Sequence, residues 1–229
     1  MADRKEILGF LHYRTDLGDG VRTGIVFSDC TEACSKYCAS YRFIPEHDFC
    51  EDFSEQKQYS ANELIAYLLE ERTMYYAGKL GISFLGKEPL RDPFFCADVA
   101  KGLKEAGIGL QIFTCGMCSM TAFELLDGLA ESYVLRVFLP FFHDSKEVFD
   151  RGSQVRRVIE FFEKSSTPYR ILIPVSTPVC NEDTQRFADY LLGLKKLRSV
   201  MIDFSNTKLS EEEIRRLKHI FLSRKIPLY

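Results

Sequence analysis

The sequence predicts an α/β fold built on a parallel sheet, and three observations carry that reading. From about residue 24 onward, six short apolar runs alternate with amphipathic helical stretches, the order expected of βα units. Each run is followed by Gly, Pro, Ser, Asn or Asp, as where strands end in loops at one rim of a sheet. The 229 residues, 46% of them hydrophobic, suffice for one sizeable core but fall short of a typical complete eight-unit α/β barrel. One domain covering 1–229 is expected.

The first strand is expected at 24–28. A long, polar, aromatic-rich and poorly periodic segment, about 30–59, follows it. Loops of that length inside a compact domain are usually functional, and this one starts at the rim where α/β proteins place their sites. Ser60 with Glu63 has capping-box spacing and opens a helix whose apolar face is Leu64, Ile65, Leu68 and Leu69. A strand at 81–85 leads to a helix carrying Val99, Leu103 and Ala106, closed at Gly107. Strands at 110–114 and 133–138 follow, then a helix with Val158, Phe161 and Phe162. A strand at 170–175 precedes a helix with Phe187, Leu191 and Leu192 that ends near Gly193. The last unit is a strand at 199–204 and a helix with Ile214, Leu217 and Ile220. Ser210 and the acids Glu211, Glu212 and Glu213 open that helix, where the dipole favours negative charge.

Thirty basic residues against 33 acidic ones give a net charge of −3. The charges are interspersed, which argues against a nucleic-acid or membrane footprint and for a protein or small-molecule partner. The start, MADRKEILGF, lacks the apolar core of a signal peptide, and no run of about 18 apolar residues occurs. A cytoplasmic location is expected.

Eight cysteines in a reducing compartment point to metal or redox chemistry before disulfides. Cys30, Cys34 and Cys38 fall within nine residues, directly after the first strand. Three thiolates from one loop leave one iron of a [4Fe–4S] cube without a protein ligand, the open position that cofactor chemistry requires. The plainer reading is a redox or structural thiol group; a structural zinc wants four ligands, and no Cys or His pair stands at zinc-finger spacing to complete one. Cys115 and Cys118 form a C-x-x-C open to three readings: packing, a redox pair or part of an auxiliary cluster. Cys50 shares the long loop and could supply a fourth ligand, whereas Cys96 and Cys180 stand alone, as small hydrophobes do. His12, His47, His143 and His219 lie on separate elements and form no metal-binding pair. Arg22 either approaches the loop or pairs with Asp19, and Phe141 and Phe142 either line a mouth or pack.

Asp19-Gly20-Val21-Arg22-Thr23, a short strand, C-x3-C and Tyr37 just before the third cysteine resemble the entrance to the radical S-adenosylmethionine (SAM) enzymes. The resemblance is to the branch of pyruvate formate-lyase activating enzyme and other glycyl-radical activases. Gly81 through Leu90, G-I-S-F-L-G-K-E-P-L, is similar to that family's G-V-T-F-S-G-G-E-P-L. Glu105-Ala106-Gly107-Ile108 through Thr114-Cys115-Gly116 resembles its helix-turn-strand segment ending in T-x-G. The match covers the first half in motifs and the second half mainly in element order.

The resemblance implies a partial (β/α)6 barrel of the TIM-like type. In it Cys30, Cys34 and Cys38 hold a [4Fe–4S] cluster, and SAM takes the open iron through its amino and carboxylate groups. It places Tyr37 near the cluster and adenine, Gly86, Lys87 and Glu88 at the methionyl end, and Thr114 in the same cofactor site, with no catalytic side chain beyond the cluster. It further implies reductive cleavage of SAM to a 5′-deoxyadenosyl radical, a glycyl-radical enzyme as protein substrate, and an electron donor such as flavodoxin or ferredoxin. The expected protein is an oxygen-sensitive monomer. The chain departs from the family in having C-x3-C-x3-C where the family has C-x3-C-x2-C, and Lys87 where it has glycine. Val137-Phe138-Leu139 replaces a D-x-K, the position of the family's strand-five arginine is at Ile173, and Ile202-Asp203-Phe204-Ser205 carries no histidine. Two alternatives stay open: modification of a peptide or small molecule, and a cluster-binding protein without productive SAM turnover.

Overall fold

The computed structural model of the protein describes residues 4–28, 57–70, 75, 80–86, 88–139, 146–175, 179–204 and 208–228. The strands are β1 Lys5–Arg14, β2 Arg22–Phe27, β3 Lys57–Tyr59, β4 Gly81–Gly86, β5 Leu110–Thr114, β6 Ser132–Arg136, β7 Tyr169–Pro174 and β8 Leu197–Asp203. The helices are α1 Ala61–Glu70, α2 Pro93–Glu105, α3 Met120–Leu126, α4 Lys146–Lys164, α5 Asn181–Leu191 and α6 Glu211–Leu222. The strands form one eight-stranded sheet in the order β3-β1-β2-β4-β5-β6-β7-β8. From β2 to β8 every neighbouring pair is parallel; β1 runs antiparallel to both β2 and β3.

Each of the six expected strands is present, with ends within two residues of the expected ones. β1, β3 and α3 were not foreseen. β1 is half-buried and broken by register shifts between Ile7 and Gly9 and between Leu11 and Arg14, so its apolar residues lose the alternation by which a strand is read. β3 is a three-residue edge strand, and its pairing with β1 shortens the expected 30–59 loop at its far end. Leu192, expected on the apolar face of α5, is 57% exposed beyond the helix end.

The distribution of the core shows how the sheet is used. Leu64, Val99, Phe123, Val158, Phe187 and Phe221, one from each helix, pack in a single cluster with Ile25, Ile112 and Ile171 of the sheet. The other face carries a small cluster of its own, Phe113, Val134 and Leu172 flanked by Leu85 and Met201. Successive strand residues face opposite ways, so Ile112 meets the helices and Phe113 the other side. Helices on one face only are the signature of a barrel wall, not of a doubly wound sheet. The sheet ends at β3 and β8 and does not close, giving the partial barrel expected.

The connection between β1 and β2 folds over the N-terminal part of the inner face. Ser83 Oγ donates to Leu17 O at 2.9 Å, and Gly18 lies so close to Gln111 that a Cβ would stand 1.6 Å from its Oε1. Asp19 reaches β7, where Arg170 Nη2 is 2.8 Å from its carboxylate. Glu63 and Glu213 close capping boxes with Ser60 and Ser210. Among the described residues no helix is long and apolar enough to cross a membrane.

Candidate functional site

The C-terminal ends of β2, β4, β5 and β6 come together at one rim. Gly86 ends β4 opposite Phe27 of β2, with φ at +108°, and a Cβ on it would lie 2.2 Å from Phe27 O. Only glycine satisfies both the dihedral and this approach of two backbones.

Glu88 is fully buried and caps the 3₁₀ turn Pro89–Arg91. Its Oε1 accepts from Thr114 Oγ1 at 2.8 Å and from the Leu90 amide at 3.3 Å. Its Oε2 accepts from the Cys115 amide at 3.0 Å. Thr114 Oγ1 in turn accepts from the Gly116 amide at 2.9 Å. One carboxyl thus fastens the turn after β4 to the turn after β5. From β6, Arg136 reaches across β5 and donates from Nη2 to Gly86 O at 2.7 Å. Two residues absent from the expected site, Arg136 through its side chain and Cys115 through its backbone amide, therefore join Gly86, Glu88 and Thr114. An arginine inside the apolar run Tyr133-Val134-Leu135-Arg136-Val137 was the signal available in the sequence, since a charge there must find partners.

Burial raises the Glu88 pKa to about 7, and the nearby Cys115 thiol pushes it the same way; Thr114, Arg136 and the Cys115 amide oppose the rise. The carboxyl therefore changes charge near neutrality. Burial also pushes the Cys118 thiol up, helped by Glu88, Cys96 and Cys115, so it stays protonated and poorly nucleophilic. Cys96 Sγ donates to Pro89 O at 3.0 Å. Cys96 thus packs against the turn, and among the described residues no group of His, Cys, Asp and Glu could hold a metal.

Gly86, Glu88 and Thr114 of the expected site are brought together; Cys30, Cys34, Cys38, Tyr37, Lys87 and Cys50 lie outside the described residues. Val137, Phe138 and Leu139 are buried and apolar beyond β6. Arg22 stands at the opposite end of β2 from the rim. It donates to Asp19 O at 3.0 Å and Ile82 O at 3.0 Å, and its charge partner is Glu131 at 3.1 Å. It meets Asp19 through the backbone, while the Asp19 carboxylate pairs with Arg170. A groove of about 780 Å³ also lies at that N-terminal end, lined by Asp19, Arg22, Gly81, Glu131 and Arg198 among others.

Pyruvate formate-lyase-activating enzyme of Clostridium pasteurianum is 33% identical to this chain over 99 residues, 43% of this chain and 38% of that enzyme. A domain of pyruvate-formate lyase-activating enzyme from Bacteroides vulgatus superimposes with a TM-score of 0.50 over 65% of this chain and 97% of the domain, at 19% identity. Streptococcus suis SuiB superimposes at 19% identity in two structures. Bound to S-adenosylmethionine it gives a TM-score of 0.55 over 73% of this chain and 40% of SuiB. Bound to its precursor peptide SuiA it gives 0.56 over 77% and 43%. Over those 99 residues the chain is similar in sequence to a pyruvate formate-lyase-activating enzyme, and it shares the fold of the Bacteroides domain and of SuiB. The mostly parallel sheet with its one-sided helices is their partial barrel. No family model matches the chain. The chain spans about two fifths of the length of SuiB, and its match to the Clostridium enzyme covers a similar share of that enzyme.

Proposed function

We propose that this chain is a radical SAM oxidoreductase of the glycyl-radical-activating type, holding a [4Fe–4S] cluster on Cys30, Cys34 and Cys38 and SAM beside it. The observation that carries the reading is the rim itself. The segment bearing the three cysteines is joined to the end of β2, whose last residue, Phe27, pairs with Gly86. The Gly86 to Pro89 turn that corresponds to the SAM-binding motif is locked to β5 by Glu88 and Thr114. The donor set fits: three thiolates suit an iron–sulfur cube and leave one iron open. Cys30, Cys34 and Cys38 would hold the cluster, and when bound it would supply the electron for reductive cleavage of SAM, the chemistry that would lead to a glycyl radical on the partner.

The chain's own residues bind, orient and exclude water. Gly86 presents its backbone to the ligand, and Glu88 and Thr114 hold the turn in place. Tyr37 and Lys87 complete the cofactor site. Flavodoxin or ferredoxin delivers the electron, and the protein acts as a cytoplasmic monomer of one domain. The sequence match to an activating enzyme over 99 residues favours a glycyl-radical enzyme as substrate. The second reading, a peptide substrate, draws on the fold shared with SuiB, whose structure includes its precursor peptide.

Anaerobic iron–sulfur reconstitution followed by EPR of the reduced protein, with and without SAM, tests the proposal. The expected result is a [4Fe–4S]⁺ signal that changes on adding SAM, with deoxyadenosine formed and both lost in Cys38→Ala. A cluster signal indifferent to SAM would reject SAM chemistry. Deoxyadenosine formed without a glycyl radical on any co-occurring partner enzyme would shift the reading to a peptide.

A further inference from the structure

The sheet stays open at β8, and a strand at an open edge points one row of its backbone groups away from its neighbour. The hydrogen bonds identify that row. Asp203 O accepts from Val175 N at 2.9 Å on the β7 side, whereas Val200 N donates to Pro227 O at 2.8 Å on the other. From Val200 to Asp203 the register with β7 is regular, so the backbone direction alternates: Met201 and Asp203 face β7, and Val200 and Ile202 face outward. The chain's own C-terminal segment covers the first of these. Leu228 forms a parallel bridge with Val200, and Ile226, 5% exposed, anchors that segment in the core. Ile202 comes next toward the rim, and among the described residues no backbone group pairs with it on that side. Burial follows the same step: Val200 is fully buried, and Met201, Ile202 and Asp203 are half-buried.

Resting on the protein-substrate reading above, we propose that the β8 edge at Ile202 takes the glycine-bearing segment of the substrate protein as an added strand. The C-terminal segment already shows that this edge accepts an extended chain, one step further from the rim. Met201 packs with the inner-face cluster, and Asp203, two residues on, ends β8 on the same face. A chain paired with Ile202 therefore arrives at the level of the rim that carries the proposed cofactor site. Ile202 N–H would donate to one of its carbonyls and Ile202 O accept from one of its amides, the recognition mode of strand addition. A glycine has no side chain for a pocket to hold, so main-chain hydrogen bonds suit a segment centred on one. The opposite edge, β3, offers no such place: it is three residues long, with Lys57 and Gln58 exposed, as guarded edges are.

The test measures binding of a probe peptide to the reconstituted full chain under anaerobic conditions, with hydrogen exchange read at single amides. The probe is a blocked peptide of alternating threonine and valine with glycine at its centre, used beside a version in which every amide nitrogen is methylated. The unmethylated peptide is expected to bind and to slow exchange at the Ile202 amide, and the methylated one, which has lost its donors, to bind roughly tenfold or more weakly. Ile202→Pro removes an outward N–H from an edge strand and keeps the ladder to β7, so it should weaken binding to a similar extent, whereas Ile202→Val should retain it. Equal binding of the two peptides, binding that leaves Ile202 exchange unchanged, or no binding at millimolar peptide overturns the inference. Slow exchange at Ile202 without peptide, together with a dimer in sedimentation, overturns it too, because a second copy of the chain then holds the edge. Should Ile202→Pro not fold, the methylated peptide decides. Deoxyadenosine formation in the same preparation reports separately on the SAM reading: peptide-dependent protection at Ile202 without it rejects SAM chemistry and leaves the docking edge standing.

Discussion

The two ends of the parallel sheet are held by opposite physical means. At the N-terminal end, ion pairs at the surface tie the strands to neighbouring segments: Asp19 with Arg170, which is half-buried, and Glu131 with Arg22, which is buried, each acid being more than half exposed. At the C-terminal end the fastener is a buried carboxyl with three donors, Thr114 Oγ1 and the amides of Leu90 and Cys115, and an arginine on a backbone carbonyl. Water can relax the first arrangement when a partner is removed. It cannot reach the second, where an orphaned donor bears its full desolvation cost. The end proposed to bind cofactor is therefore the stiff end, as preorganised chemistry requires.

The sharpest way to break the C-terminal rim is Gly86→Ala. The new methyl would stand 2.2 Å from Phe27 O at a φ of +108°, so β2 and β4 must part at their ends. A loss of about 3 kcal/mol or more is expected, read as a lower urea midpoint.

Next comes the pH dependence that Glu88 imposes. Its native pKa of about 7 lies above the ordinary 4.5, so between those values the native state binds more protons than the unfolded one. Its contribution is then fully present below about pH 4.5 and lost as pH rises through 7, by roughly 3 kcal/mol in total. Urea unfolding of the native protein and of Glu88→Gln across pH 4.5 to 8 checks this. The difference in stability between them should shift by that amount in favour of the glutamine form as pH rises, and parallel curves would show that Glu88 does not titrate in this window.

The comparison also explains what was legible beforehand. The parallel strands β2, β4, β5, β6 and β7 were readable because they are largely apolar runs buried on both faces, and Leu110–Thr114 was placed to the residue; β8 buries only Ser199 and Val200. β1 was not, because its two bulges scramble the alternation, and β3 was not, because three polar-to-intermediate edge residues carry no periodic signal. At the rim, Gly86, Glu88 and Thr114 were recognised through a motif resemblance, and the motif was silent about what Glu88 does. That the carboxyl spans two turns 26 and 27 residues apart in sequence follows from the register of β4 and β5, which only the folded chain displays. The sequence leaves Arg22 open between an approach to the loop and a pairing with Asp19, and it donates to the Asp19 carbonyl. It stands at the first residue of the six-residue strand β2, at the end away from the rim.

At the other end, Arg22→Met is expected to cost about 2 to 3 kcal/mol. It removes the bonds to the carbonyls of Asp19 and Ile82 and the pairing with Glu131, with a buried site left to the apolar replacement. This should resemble the C-terminal rim in size because Arg22 is itself nearly buried, with 6% of its side chain exposed. A loss below about 1 kcal/mol would mean that the two ends differ more than their burial suggests.

Asp19→Asn should give the smallest effect and the most informative salt response. The carboxylate is 58% exposed and its partner Arg170 15%, so the pair is worth about 0.2 to 1 kcal/mol at low ionic strength. The asparagine keeps its backbone carbonyl, which accepts from Arg22, and can still offer Arg170 an amide oxygen, so only the charge is removed. Raising the salt from about 0.05 to about 0.5 M shortens the Debye length severalfold and should shrink the difference between the native protein and Asp19→Asn toward zero. The same rise should leave the penalty of Gly86→Ala unchanged, because a steric clash has no counterions to screen it. Equal salt responses of the two variants would abolish the distinction between a solvated N-terminal end and a dry C-terminal one.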